Sequence, residues 1–283
     1  MKIASYVRRG VAGFGAFVDD GYIDLGGRLG PGIATLKEAV FADRLAAAAD
    51  YAEGRGPDFS AADVSLLPVI PDPEKILCVG LNYETHRAET KRPEASFPTL
   101  FTRFADTQVG HRQPIFRPRV SEKFDYEGEL AVVIGRGGRH IREENALAHV
   151  AGFAPYNDAT ARDWQRHTHQ FTPGKNFPAT GGFGPHLATA DEVGDYTRLT
   201  LRTRLNGEVV QEASLADLIF PIARLIAYCS SFTALRPGDV ILTGTPGGVG
   251  DRREPPLYLK PGDRVDVEIP GVGLLSNPVE QEA

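Results

Sequence analysis

Cysteine is nearly missing from these 283 residues: Cys78 and Cys229 stand far apart in unrelated contexts, so no disulfide framework is indicated and a reducing compartment fits. Neither thiol has a candidate base close by in sequence, which argues against a cysteine nucleophile. No apolar run approaches the ~20 residues needed to span a bilayer. Arg8-Arg9 ahead of Val11–Val18 has the charge order of an export signal. Gly13 and Gly15 interrupt that stretch, no small-x-small site follows, and it runs into Asp19-Asp20, so it reads as a strand and a cytoplasmic location is expected. A basic excess is missing too. Lys plus Arg number 31 against 37 Asp plus Glu, a formal net charge of −6, which disfavours nucleic acid as a partner and supplies no membrane-binding patch. The P-loop pattern GxxxxGKS/T, the dinucleotide pattern GxGxxG and the nucleophile elbow GxSxG are all absent, although Leu242–Gly250 is rich in glycine. What remains is small-molecule chemistry.

The length permits a full hydrophobic core in one or two domains. Val11–Val18, Asp20-Gly21 and Tyr22–Leu25 predict a β-hairpin with a type I′ turn at Asp20-Gly21. Leu36–Glu53 is Ala-rich with helical spacing and stops at Gly54-Arg-Gly-Pro57. Pro68, Pro71 and Pro73 then form a rigid connector, dividing a small N-terminal module, residues 1–70, from a larger domain, residues 71–283. Beyond it, strands are expected at Lys75–Val79, Leu130–Ile134, Leu199–Leu205, Val240–Leu242 and Arg264–Ile269. A polar helix is expected near Glu84–Thr90 and an apolar one from Leu215 to about Phe232. The class is α+β, mainly β, with helices outside.

Within Phe124–Ile134, Glu127 and Glu129 lie two residues apart in an otherwise apolar strand, so both point to one face. Two buried like charges repel unless neutralised, and a hard divalent cation suits an all-oxygen site. The alternative is that alternation turns both to solvent. Asp158, after the apolar stretch Val150–Tyr156, would place a third anion at the core edge. His86 and Glu89 share one face of a helical turn, the arrangement of a tuned general base, or else of an accidental pair on a solvated helix. Lys175 sits between aromatics in a Gly/Pro-bounded loop, positioned to stabilise an enolate or simply to face solvent. His167-Thr-His169 has polar, loop-like surroundings that argue against metal ligation.

These pieces occur in one order: Gly80-Leu-Asn-Tyr-x-x-His-x-x-Glu89, Asp125-Tyr-Glu-Gly-Glu-Leu-Ala-Val-Val-Ile-Gly135, Asn157-Asp-x-Thr-Ala-Arg-Asp-x-Gln165, Gly174-Lys-Asn-Phe177 and Thr243-Gly-Thr-Pro-x-Gly-Val-Gly250. The series resembles the fumarylacetoacetate hydrolase family, in its bacterial acylpyruvase, oxaloacetate decarboxylase and hydroxyhepta-diene-dioate isomerase branch. The resemblance implies a mixed β-roll with a small N-terminal α/β module and a homodimer. It implies Mg²⁺ or Mn²⁺ on Glu127, Glu129 and Asp158, a lid dyad of His86 and Glu89, and Arg162, Gln165, Lys175 and Thr245 at the oxo-acid end of a 2-oxo acid substrate. The catalytic set it implies is His86, Glu89 and Lys175. One departure stands out: many relatives carry Lys and Ser where this chain has Thr102-Arg103, which is expected to change the grip on the distal end of the substrate. The expected reaction is hydrolytic C–C cleavage of an acylpyruvate-type 2,4-dioxo acid. Alternatives are decarboxylation of an oxaloacetate-like acid, isomerisation of a hydroxymuconate-type diacid in aromatic degradation, or binding of a dicarboxylate without turnover.

Overall fold

The structure, a computed structural model, describes residues 1–91 and 93–283. Its chain opens with three antiparallel strands, β1 (Lys2–Arg8), β2 (Val11–Val18) and β3 (Gly21–Asp24). The β2–β3 turn lies one residue earlier than the sequence predicts. Val18 pairs with Gly21, so Asp19 and Asp20 are the turn residues, at φ 45° and 61°. Aspartate tolerates that left-handed backbone through local hydrogen bonding, which frees Gly21 for the strand. The expected helix over Leu36–Glu53 is two: α1 (Leu36–Phe41), with a Thr35/Glu38 capping box, and α2 (Leu45–Ala52). Asp43 at φ 54° separates them. The apolar run from Leu215 likewise becomes a short 3₁₀ turn at Leu215–Asp217 and a helix at Ile222–Phe232, because Pro221 begins the second segment and cannot extend the first. The polar helix α3 spans Glu84–Glu89.

The main sheet runs in the order Phe59–Ser60, β3, β2, β1, Leu187–Thr189, Val150–Asp158, Gly128–Ile134, Val240–Leu242, Ile76–Gly80, Thr99–Arg103. Val240–Leu242 runs parallel to Ile76–Gly80 and antiparallel to Gly128–Ile134, so the sheet is mixed. β1 joins the strands of residues 1–70 to this sheet by pairing with Leu187–Thr189. A second, five-stranded sheet contains Thr200–Leu205, Glu208–Ser214, Arg264–Ile269, Gly273–Gln281 and Ile115–Arg117. The fold is α+β and mainly β, with mixed sheets, the class the sequence predicts.

The central strand Gly128–Ile134 is buried on both faces, and its alternation decides where the site forms. Leu130, Val132 and Ile134 enter one core, together with Leu201, Val265 and Val267 of the second sheet. Ala131 and Val133 enter the other core, which they share with Cys78, Phe101, Ala154 and Tyr156, and with Ile3 and Phe14 from the N-terminal strands. Glu127 and Glu129 have the parity of this second face and lie at its end. Gly128 permits the sheets to approach there: a Cβ at this position would lie 2.0 Å from Thr203 Oγ1. Among the described residues, no helix is long and apolar enough to cross a membrane.

Candidate active site

Strand register brings three carboxylates together. Gly128 pairs with Asn157 and Glu129 with Tyr156, so Glu127 and Asp158 stand opposite each other and Glu129 lies one pleat along on the same face. The Asp158 N–H donates to Glu127 O at 2.8 Å, and the Glu127 N–H to Asn157 Oδ1 at 3.0 Å, fixing the strand ends. One oxygen each from Glu127, Glu129 and Asp158 lies within 4.8 Å of the others. All three side chains are buried.

Cations surround this cluster. Lys175 Nζ lies 2.6 Å from Glu127 Oε2 and 2.5 Å from Asp158 Oδ2, and donates to Asp158 O at 3.0 Å. Arg162 Nη1 lies 2.7 Å from Glu127 Oε1 and donates to Gln165 Oε1 at 3.1 Å. Arg103 Nη1 reaches Asp158 Oδ1 at 2.6 Å. Burial alone would raise the Glu127 carboxyl, but Lys175 and Arg162, with His86, hold it down to about 2. Glu129 behaves oppositely. Burial, then the like charges of Asp158 and Glu127, push it well above the ordinary range, and Lys175 and the Gly244 N–H at 2.7 Å oppose this only in part. Lys175 is held protonated: burial would lower it, but Asp158 and Glu127 outweigh burial and raise it. Three convergent carboxylates, one driven towards its neutral form by burial and by the other two, fit a hard divalent cation, which would take the place of the Glu129 proton.

The acid–base pair arrives from the other side. Asn82, buried just ahead of α3, donates to Phe220 O and Thr243 O and accepts from the Phe220 N–H, tying the start of this segment to two distant chain stretches. His86 Nδ1 lies 2.6 Å from Glu89 Oε1, and Glu89 Oε2 accepts from the Gly248 N–H at 2.9 Å. The dyad is thereby locked to the glycine-rich segment that carries Thr245. Thr245 Oγ1 in turn donates to Gly128 O and accepts from Gln211.

A cavity of about 580 Å³ joins the two groups. His86, Glu127, Glu129, Arg162, Gln165, Lys175 and Thr245 all line it, while Asp158 lies behind its wall. Glu89 is not on the lining and touches the site through His86. Leu81, Phe101, Phe171 and Val249 give it an apolar side, and His167 and His169 stand exposed on its lining, away from the carboxylates. The Thr102-Arg103 expectation needs correction. Thr102 is exposed and Arg103 is 2% exposed, pointing inward to Asp158, Ala159 O, Thr107 and Thr180. Alternation puts Phe101 and Arg103 on the same inward face and Thr102 on the other; Phe101 lines the cavity, while Arg103 lies deeper, off its lining, and supports the Asp158 carboxylate. Sequence reasoning also missed Asn82, Asn157 and Asp125. Asp125 carried a signal, since Asp125, Glu127 and Glu129 form one alternating acidic series.

Residues 75–280 match the family profile described as Fumarylacetoacetate (FAA) hydrolase C-terminal. The chain belongs to the fumarylacetoacetate hydrolase family. A mitochondrial oxaloacetate tautomerase of Xenopus laevis is 45% identical over 222 residues, covering 78% of this chain and 70% of that protein. A fumarylacetoacetate hydrolase from Exiguobacterium antarcticum superposes with a TM-score of 0.87 at 35% identity, over 100% of both chains. A maleylpyruvate hydrolase from Sphingobium sp. SYK-6, solved with manganese(II) and pyruvate, superposes with a TM-score of 0.83 at 26% identity, again over 100% of both chains. This family is one of enzymes, and the buried acidic triad is its member's candidate metal centre here.

Proposed function

We propose that this protein moves a proton at the carbon next to the 2-oxo group of a short 2-oxo dicarboxylic acid, interconverting keto and enol forms of an oxaloacetate-like substrate. The observation that carries this reading is the His86–Glu89 pair beside the carboxylate triad in one cavity, in a chain 45% identical to an oxaloacetate tautomerase. Glu127, Glu129 and Asp158 would hold Mg²⁺ or Mn²⁺, which supplies Lewis-acid polarisation of the 2-oxo group when bound. Lys175 adds fixed positive charge beside the same oxygens, where negative charge develops as the enol forms. Glu89 keeps the His86 Nδ1 proton in place, so Nε2 is the base that takes the carbon proton and returns it. Gln165 orients the substrate carboxylate, Arg162 lends its charge to Glu127, and Thr245, whose hydroxyl proton is committed to Gly128 O, shapes the cavity wall beside them. The apolar wall excludes water from the enol.

Hydrolysis of an acylpyruvate is the second reading, favoured by the likeness to a maleylpyruvate hydrolase solved with pyruvate. His86 would then deprotonate a water that attacks the distal carbonyl. Enol oxaloacetate added to Mn²⁺-loaded protein separates the two. Under the first reading its ultraviolet absorbance decays faster than in buffer, and acylpyruvates in ¹⁸O water release no labelled acid. An unaccelerated decay overturns tautomerisation, and label in the released acid establishes hydrolysis.

A further inference from the structure

Asp125 is fully buried, does not line the cavity and is no member of the three-carboxylate cluster, yet it receives donors from two walls of the site. It lies in the two-residue strand Phe124–Asp125, paired with Thr160–Ala161 directly before Arg162. On one side Oδ1 accepts from the Gly250 N–H at 2.8 Å and Oδ2 from the Asp251 N–H at 3.0 Å. These amides belong to the loop whose Val249, Asp251 and Arg252 line the cavity. On the other side, Oδ2 lies 2.8 Å from both Nε and Nη2 of Arg162. The remaining nitrogen of that guanidinium, Nη1, holds Glu127 Oε1 at 2.7 Å. The loop is also pressed onto the carboxylate: a Cβ at Gly250 would lie 2.6 Å from Asp125 Oδ1 and 1.9 Å from Leu257 O.

We propose that Asp125 is a positioning residue that couples the Gly250–Asp251 loop to Glu127 through Arg162. The physical reason is the division of one guanidinium between two carboxylates. With Asp125 in place, Arg162 is held along its Nε edge and offers only Nη1 to Glu127, so Glu127 keeps Oε2 directed to Lys175 and the acidic cluster. Without the Asp125 charge, Arg162 answers to Glu127 alone and competes for it with a divalent cation. Asparagine in its place keeps one oxygen, so only one of the Gly250 and Asp251 N–H groups retains an acceptor, and the outer wall loosens as the cation site weakens. The proposal rests on reading Glu127, Glu129 and Asp158 as a cation site, but not on which reaction follows.

Two measurements test it without substrate. Amide hydrogen exchange at Gly250 and Asp251 is expected to quicken about tenfold in Arg162→Met, although Arg162 touches neither amide. Unchanged exchange there overturns the coupling. Mn²⁺ affinity is then measured for wild type, Asp125→Asn, Arg162→Met and the double variant. Asp125→Asn alone is expected to weaken binding by about 10–100-fold, the range for groups that orient a ligand, and to do far less in the Arg162→Met background. Equal weakening in both backgrounds shows that Asp125 does not act through Arg162 and overturns the proposal. If Asp125→Asn does not fold, Mg²⁺ added to wild type decides: exchange at Gly250 and Asp251 should slow while the remote turn at Asp19-Asp20 is unaffected. A wild type that binds no Mn²⁺ removes the cation site and this proposal together, whereas normal affinity with additive variants removes the coupling alone.

Discussion

At the scale of single residues, the site is a set of opposed titrations. Glu127 is held at about 2, so its contribution to stability is present above its ordinary value of 4.5 and is lost as pH falls towards about 2. Glu129 is displaced upwards, so its contribution is present below its unfolded value and is lost as pH rises through its folded one. Metal-free protein should therefore lose stability through Glu129 as pH rises above the ordinary carboxylate range. In Glu129→Gln, a neutral isostere, that slope should vanish from the Tm-against-pH profile, and Mn²⁺ binding should vanish with it. A slope that persists in the variant would assign it to another group. His86 is tested separately. His86→Ala should lower kcat by about 10²–10⁴, the usual worth of a general base, with Mn²⁺ affinity unchanged. Wild-type turnover in that variant would remove His86 from the proton transfer.

At the scale of elements, α3 is a short helix whose place depends on contacts outside itself. Six residues give it little stability alone. It is secured at its start by Asn82 and along its length by the Gly247 N–H to Thr85 Oγ1 bond at 3.0 Å and the Gly248 N–H to Glu89 bond. Asn82→Ala strands the buried Phe220 N–H and two carbonyls, and should cost about 3 kcal/mol in urea unfolding. It should lower kcat as well, because His86 loses its seat. A variant with full stability would show that water replaces the amide. The α3 pattern was legible in sequence because His86 and Glu89 fall at i and i+3. The segment that docks them was not, since Gly247 and Gly248 contribute only backbone N–H groups, which leave no mark in side-chain pattern.

At the scale of the whole molecule, charge balance around the centre governs binding. Asp125, Glu127, Glu129 and Asp158 face Arg103, Arg162 and Lys175, four potential anions against three cations. With Glu129 neutral the region is balanced. Exchange of that proton for a divalent cation leaves an excess of about +1, suited to an anionic 2-oxo acid. Mn²⁺ at about 100 times its Kd should stabilise the fold by about 2.7 kcal/mol and raise Tm by roughly 5 °C, reversibly with EDTA. Calorimetry in buffers of different ionisation enthalpy should record close to one proton released per cation. No release would show that Glu129 is already ionised.

The sequence by itself determined the parity of Glu127 and Glu129, the end of a strand at Asp158, the i, i+3 pairing of His86 with Glu89 and the more strongly patterned strands, fewer than half of those formed, because each follows from a local period of two or 3.6. It also held the family's motifs in order. Contacts between distant segments were decided only in the tertiary structure. Asp19-Asp20 took the turn that Asp20-Gly21 was expected to make, since strand register across β2 and β3 outweighs the local preference for Gly. Arg103 turned inward to Asp158, and Arg162 divided its guanidinium between Asp125 and Glu127, because a buried anion draws the nearest cation whatever their separation along the chain. The acidic pair on one strand was therefore written locally, while the cations that set its charge, and with it the site's fitness for metal, were supplied by folding.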